Sequence, residues 1–268
     1  MEWPDFDFNV WLYCSLLAGM IPILIPALQF GFIFRLWDQY NKPVNRMHCQ
    51  NSCWDTVFKA GYETGVGSYK HVYFNATSNA LMMWSLTVLC VIGLYEGIRK
   101  VFMSLYHGTA RPRMVILFLS VVFPHYYAWW AYFNYYNDDY FDQFWHQLFF
   151  TVTEMASTLT VLSLIDKSSV VTPRKTLVII SIAVLHIVAS GWDQFVENVL
   201  RQEGMLHQIL RDLGFMIPDL LHMWIPWLEL RDMAQRRRVP PSHLIKTEDF
   251  IGATVFVALA WMICLLIK

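Results

Sequence analysis

LVIISIAVLHIVASGWDQFVE, residues 177–197, is long and apolar enough over Leu177–Val196 to cross a membrane as a helix, yet it carries His186 at its centre. His186, Ser190, Asp193 and Glu197 follow one another at helical spacing, so they form one stripe running from the middle of the segment to its end. A charge at the centre of a lipid core costs roughly 2.5–3.5 kcal/mol on insertion scales. That stripe should therefore face protein or water, not lipid.

The rest of the chain repeats the pattern. Its 268 residues are 56% hydrophobic and 15% charged, which points to an integral membrane protein rather than a soluble domain. Apolar stretches run near Trp11–Leu36, Ala80–Ile98, Met114–Tyr135, Phe144–Leu164, Leu177–Val196, Leu213–Leu230 and Phe250–Ile267. The expected fold is all-α and polytopic: seven transmembrane helices in a single domain over residues 1–268, with a long loop at 37–79. The sixth stretch is the weakest as a span, because it holds Pro218, Asp219, His222 and Pro226. Pro124 should kink the third helix by leaving the carbonyl of Ser120 unpaired, and Pro218 and Pro226 should kink the sixth. Val199–Asp212 reads as an amphipathic helix at the interface.

Basic residues set the expected orientation. Arg99, Lys100, Arg111 and Arg113 follow the second span; Lys167, Arg174 and Lys175 the fourth; Arg231, Arg236, Arg237, Arg238 and Lys246 the sixth. The connection after the third span, NDDYFD, has no base. By the positive-inside rule the basic connections and the N-terminus are cytosolic. The acidic start, MEWPDFDFNV, does not read as a cleaved signal peptide. The 37–79 loop would then be lumenal or extracellular, where Cys49 and Cys53 are expected to pair and Asn75-Ala76-Thr77 is a glycosylation sequon. A metal held by the two cysteines beside His48 is the alternative for that pair. The endoplasmic reticulum, elsewhere in the endomembrane system, or the plasma membrane fits this picture.

Function should lie where the costly residues meet. His125, Glu154, His186 and His222 fall near the midpoints of the third to sixth spans and hence at one depth. Gln143, His146, Thr153, Glu154, Ser157 and Thr160 cover one side of the fourth span, while Trp129, Tyr132 and Tyr136 share the face of His125. The expectation is a polar chamber open toward the lumenal side. Glu154, His146, Asp193 and Asp219 are its acid–base candidates, and Trp129, Tyr132, Tyr136 and Ser190 its substrate contacts. His125, His186 and His222 are candidate zinc ligands, with Glu154 to activate water.

A lipid- or sterol-modifying enzyme is the leading reading, with membrane lipids as partners and a membrane-protein partner or homo-oligomer allowed by the bundle surface. A proton-coupled transporter or channel is the second; it lacks an inverted repeat and an ionisable path on the cytosolic half beyond Glu96. A lipid-sensing receptor or accessory subunit, its polar core serving only to fix helix register, is the third. A net charge of −1 argues against nucleic acid as a partner. The expected topology is similar to that of membrane hydrolases related to adiponectin receptors, but their HxxxH and SxxxH pairs are absent, so no mechanism carries across.

Overall fold

The computed structural model describes residues 7–40, 78–138 and 144–267, and every named element among them is helical. Cys49, Cys53, His48 and Asn75 lie outside the described residues. The chain divides into two compact units, Met1–Tyr106 with Trp129–Asp142, and His107–Ala128 with Gln143–Lys268.

In the first unit, α1 (Phe8–Tyr40) packs against α2 (Ser78–Tyr106). Asp7 opens α1 as a side-chain cap, its Oδ1 accepting from the backbone N–H groups of Asn9 at 3.0 Å and Val10 at 3.3 Å. Val10, Cys14 and Ala18 recur every four residues and are buried, whereas Leu12, Leu16, Met20 and Ile23 are exposed. A helix whose outside is as apolar as its contact face fits lipid as the surrounding solvent. The guanidinium of Arg99 lies 6.0 Å from the Trp11 ring centre and pairs with Glu96 at 2.5 Å near one end of α2.

The second unit opens with α3 (Pro112–Ser120), followed by α4 (Val122–Asp138), whose later residues belong to the first unit. The helical path is interrupted at Val121, three residues before Pro124, which has no N–H for the Ser120 carbonyl. It resumes as His125 N–H bonds to Val121 O at 3.1 Å. Then come α5 (Phe144–Ser163), α6 (Pro173–Ser190), a π-helical continuation over Gly191–Leu200, α7 (Leu206–Arg237) and α8 (Thr247–Leu266). Thr172 and Pro173 start α6 by the expected chemistry: the threonine hydroxyl accepts from Lys175 N–H at 3.3 Å, and proline occupies the first turn. Helix α6 is the hub of the unit, packing against α5, α7 and α8.

Five windows are long and apolar enough to cross a membrane: Phe8–Ile25, Leu81–Tyr106, Pro112–Tyr132, Pro173–Ser190 and Thr247–Leu266. Helices α5 and α7 are long but fall outside that set. Helix α7 runs unbroken through Pro218 and Pro226 and absorbs the end of the stretch expected to be a separate interfacial helix. That stretch is instead split: the π segment ends at Leu200, Gln202 takes a left-handed conformation (φ 58°), and α7 starts at Leu206.

One end of the second unit is clasped by polar contacts. Arg111 N–H donates to Ile165 O, Lys167 N–H donates to Thr109 O at 2.8 Å, and the Arg111 side chain donates to the carbonyls of Leu164 and Ser169. The Thr109 hydroxyl donates to Asp166 at 2.7 Å. That bond, followed by those from Ser168, holds the Asp166 carboxyl below its usual range. Arg113 bridges to Asp232 at 2.6 Å and Glu229 at 3.3 Å on α7, and Arg174 to Asp249 at the start of α8 at 2.9 Å. The basic connections before α3, before α6 and around the α7–α8 junction therefore meet at one end of the unit.

Candidate functional site

Three helices carry the site into the second unit. Helix α6 presents His186, which is 4% exposed, between Glu154 of α5 and Asp219 of α7. The Nδ1 atom lies 3.2 Å from Glu154 Oε2 and 3.3 Å from Asp219 Oδ1. One ligand atom from each of the three residues lies within 4.8 Å of the others, so the triad can hold a metal ion.

The other imidazole nitrogen fixes the chemistry. His186 Nε2 lies 2.7 Å from Thr153 Oγ1, and that hydroxyl lies 3.0 Å from the carbonyls of both Phe149 and Phe150. With that hydroxyl proton turned to Nε2 the imidazole proton would sit on Nδ1, facing the carboxylates; with it on either carbonyl, the oxygen accepts from His186 Nε2–H. Neutral His186 would then aim the Nδ1 lone pair at two carboxylate oxygens. A proton or a cation has to occupy that position. With a proton, the imidazolium faces two carboxyl groups, and the buried set is neutral when one of them is also protonated. With a divalent cation, the two carboxylates and the neutral imidazole balance.

Two further histidines surround the triad. His125 Nε2 lies 2.7 Å from Thr158 Oγ1, one turn along α5 from Glu154. Both His125 and His222 are within Coulombic reach of Glu154. His222 Nδ1 lies 2.9 Å from the carbonyl of Pro218, so this nitrogen carries the proton and Nε2 keeps its lone pair. That Nε2 is buried and has no hydrogen-bond partner among the described residues; the same holds for Ser157 Oγ.

The sequence-derived residues sort clearly. Glu154, His186 and Asp219 come together as the potential ion site, whereas His125 and His222 stand beside it instead of joining it. The set mixes two carboxylates with one imidazole because Asp219, one turn before His222, reaches His186 first. His146 reaches the triad only through a ring: Phe150 lies 4.9 Å from the His146 imidazole and 5.1 Å from that of His186.

The aromatic and outer residues are placed elsewhere. Trp129 and Tyr132 fall in the first unit, where the Trp129 indole donates to Thr87 Oγ1 at 2.9 Å and Tyr132 is buried. The Tyr136 and Asp193 side chains lie outside the described residues. Ser190 donates its hydroxyl to His186 O at 2.6 Å, within its own helix. Beyond it α6 passes into a π-helix at Gly191, where i→i+5 bonding widens each turn. Glu197 is exposed. Thr158, which no pattern singled out, was detectable as the i+4 neighbour of Glu154.

A family model matches residues 11–267, nearly the whole chain, under the description Family of unknown function (DUF8801). The chain belongs to this family. Its boundaries enclose every element of the site, from His125 to His222, so the triad lies inside the region that defines the family. No curated protein and no solved structure matches the chain.

Proposed function

We propose that this protein is an intramembrane enzyme acting on a membrane lipid, with a zinc ion held by Glu154, His186 and Asp219. One observation carries the reading: a buried imidazole nitrogen faces two carboxylates while its opposite nitrogen lies 2.7 Å from the Thr153 hydroxyl, an oxygen able to accept from it. A metal-ligating histidine characteristically gives its other N–H to such an acceptor. Three protein ligands of nitrogen and oxygen are the number a catalytic zinc site uses, although two carboxylates with one imidazole is richer in oxygen than the usual histidine-dominated sets.

The membrane setting is supported by what the helices present outward. On α7, Ile217, Leu220, Trp224 and Trp227 are exposed while Met216, Asp219, His222 and Ile225 are buried. On α5, Trp145, Val152, Met155 and Leu159 are exposed while Ser157 and Thr158 are buried. Polar residues inside and apolar residues outside are the reverse of a soluble bundle. We therefore read α5 and α7 as spans too, giving seven, with the clasped basic end and the N-terminus toward the cytosol. A proton-coupled transport role draws less support, because Ser190 is committed to its own helix.

The test is metal analysis of the full chain purified in lipid nanodiscs, combined with mass spectrometry of mixed-lipid vesicles incubated with it. One zinc per chain, lost in Glu154→Gln and Asp219→Asn, together with ion-dependent lipid turnover, is the expected result. Full-length protein that binds no divalent ion and leaves every lipid class unchanged refutes the reading.

A further inference from the structure

Among the described residues, two buried polar atoms near the triad, Ser157 Oγ and His222 Nε2, lack a partner, and both lie on the same side of it. Helix α5 runs from Phe144 toward the clasp at Leu164–Ser169, and α7 runs from Leu206 toward Glu229 and Asp232, which the clasp also engages. Ser157 follows Glu154, and His222 follows Asp219, by three residues in those directions, about 4.5 Å of helical rise. The orphaned atoms therefore form a layer one turn from the triad, toward the basic end. The opposite side is closed by Phe150, whose ring lies against His186.

We propose that His222 is the proton acceptor of this site, its Nε2 taking a proton from water bound to the ion on Glu154, His186 and Asp219. The proposal rests on the metal-assisted reading above and adds a catalytic residue to it. His222 does not belong to the set whose ligand atoms all fall within 4.8 Å, so it does not share the ion with all three. It stands three residues after Asp219 on α7, about one turn along the same helix, and its charge acts on both Glu154 and Asp219. Its tautomer suits the role, since Pro218 O fixes the proton on Nδ1 and leaves Nε2 as an acceptor. Buried polar atoms are rarely left unpaired in native proteins, and water or a substrate hydroxyl is what an acceptor nitrogen and a serine hydroxyl can both use.

The reaction class is hydrolysis of an acyl bond in a lipid ester or amide. An O–H bond of the water breaks and its proton moves to His222 Nε2, while the oxygen forms a new bond to the acyl carbon. The bond from that carbon to the leaving oxygen or nitrogen then breaks, and the proton on Nε2 transfers to the leaving atom. Water is the co-reactant, no electrons are gained or lost, and His222 ends as it began.

Solid-state NMR of the full chain with ¹⁵N-labelled histidine, in phosphatidylcholine bilayers with and without zinc, reads this directly. His222→Asn assigns the signal, because the asparagine amide nitrogen can still donate to Pro218 O while Nε2 is deleted. The expected result is that zinc moves His186 Nδ1 to a metal-bound shift and His222 Nε2 only to that of a hydrogen-bonded acceptor. His222→Asn should keep one zinc per chain and lose about 10²–10⁴-fold in lipid turnover at unchanged KM. An unmoved His222 signal, a metal-bound shift at His222 or full turnover in His222→Asn overturns the proposal. In each of those cases the His186 signal still shows whether zinc occupies the triad. If the His186 signal does not respond to zinc either, the metal reading falls and this proposal with it.

Discussion

Thr153→Val isolates the part of the site on which the charge argument depends. The substitution keeps the side chain's shape and removes the oxygen that accepts from His186 Nε2 at 2.7 Å. Among the described residues that nitrogen has no second acceptor, so its N–H is stranded in a bundle where His186 is 4% exposed. Leaving a buried donor unpaired costs about 1–3 kcal/mol. The ion-bound form needs Nε2 as the proton-bearing nitrogen, so much of that cost should appear as weakened zinc binding. At about 1.4 kcal/mol per decade this is a loss of roughly 5- to 150-fold in affinity, close to the 10–100-fold known for outer-shell partners of metal ligands. Chelator competition against the nanodisc-embedded full chain measures it. Thr160→Val is the matched control, because its hydroxyl bonds back to Ala156 O farther along the same helix. Equal zinc affinity in Thr153→Val and wild type, with both folded, would refute the assigned tautomer and the argument that a cation occupies Nδ1.

Other parts of the structure make separate commitments. Gly214→Ala places a Cβ 2.3 Å from the Phe123 ring, so α7 or the ring must shift; a loss of about 1–3 kcal/mol is expected in thermal unfolding, largely recovered by adding Phe123→Ala. Asp166 has a depressed folded pKa, so its contribution to stability is fully present above the ordinary carboxylate value of about 3.9 and is lost as pH falls through the lower folded value. Thr109→Val should flatten that part of a melting-temperature profile taken from pH 6 to 3, and an unchanged acid limb would remove Asp166 from the clasp's energetics. Trp224 and Trp227 are 58% and 40% exposed, and brominated lipid should quench their fluorescence in single-tryptophan variants if α7 spans. Quenching by aqueous iodide instead would place α7 outside the bilayer.

How legible the fold was depends on what each helix carries. Thr172-Pro173 before an apolar run marks the start of α6, and Pro124 marks the interruption at Val121, because capping and missing N–H groups act locally. The π segment was not legible: nothing in GWDQFVENVL departs from α-helical patterning, and a change from i→i+4 to i→i+5 bonding depends on what packs against the helix. One observation there is steric, since a Cβ on Gly191 would stand 3.1 Å from Met216 of α7. The four-residue spacing of Asp193 and Glu197 was therefore projected along a turn that the chain does not make.

The candidate site shows the same division between depth and direction. Hydrophobic midpoints placed His125, Glu154, His186 and His222 at one level; of these Glu154 and His186 meet at 3.2 Å, and Asp219 completes their cluster. Depth alone could not say which ring nitrogen each histidine offers, and that choice decides the chemistry. For His222 it is set by Pro218 O, which accepts from Nδ1–H at 2.9 Å one turn back on the same helix. For His186 it turns on Thr153, whose oxygen accepts from Nε2–H when its own proton goes to the carbonyls of Phe149 or Phe150. The three imidazoles consequently do not act as interchangeable ligands. One points its lone pair at two carboxylates and suits an ion, one holds its lone pair in reserve a turn away and suits a proton, and His125 is engaged with Thr158. Such a division suits a site that binds an ion and moves a proton better than a cage that only stabilises the bundle, since a purely structural core would gain by pairing His222 Nε2 as well.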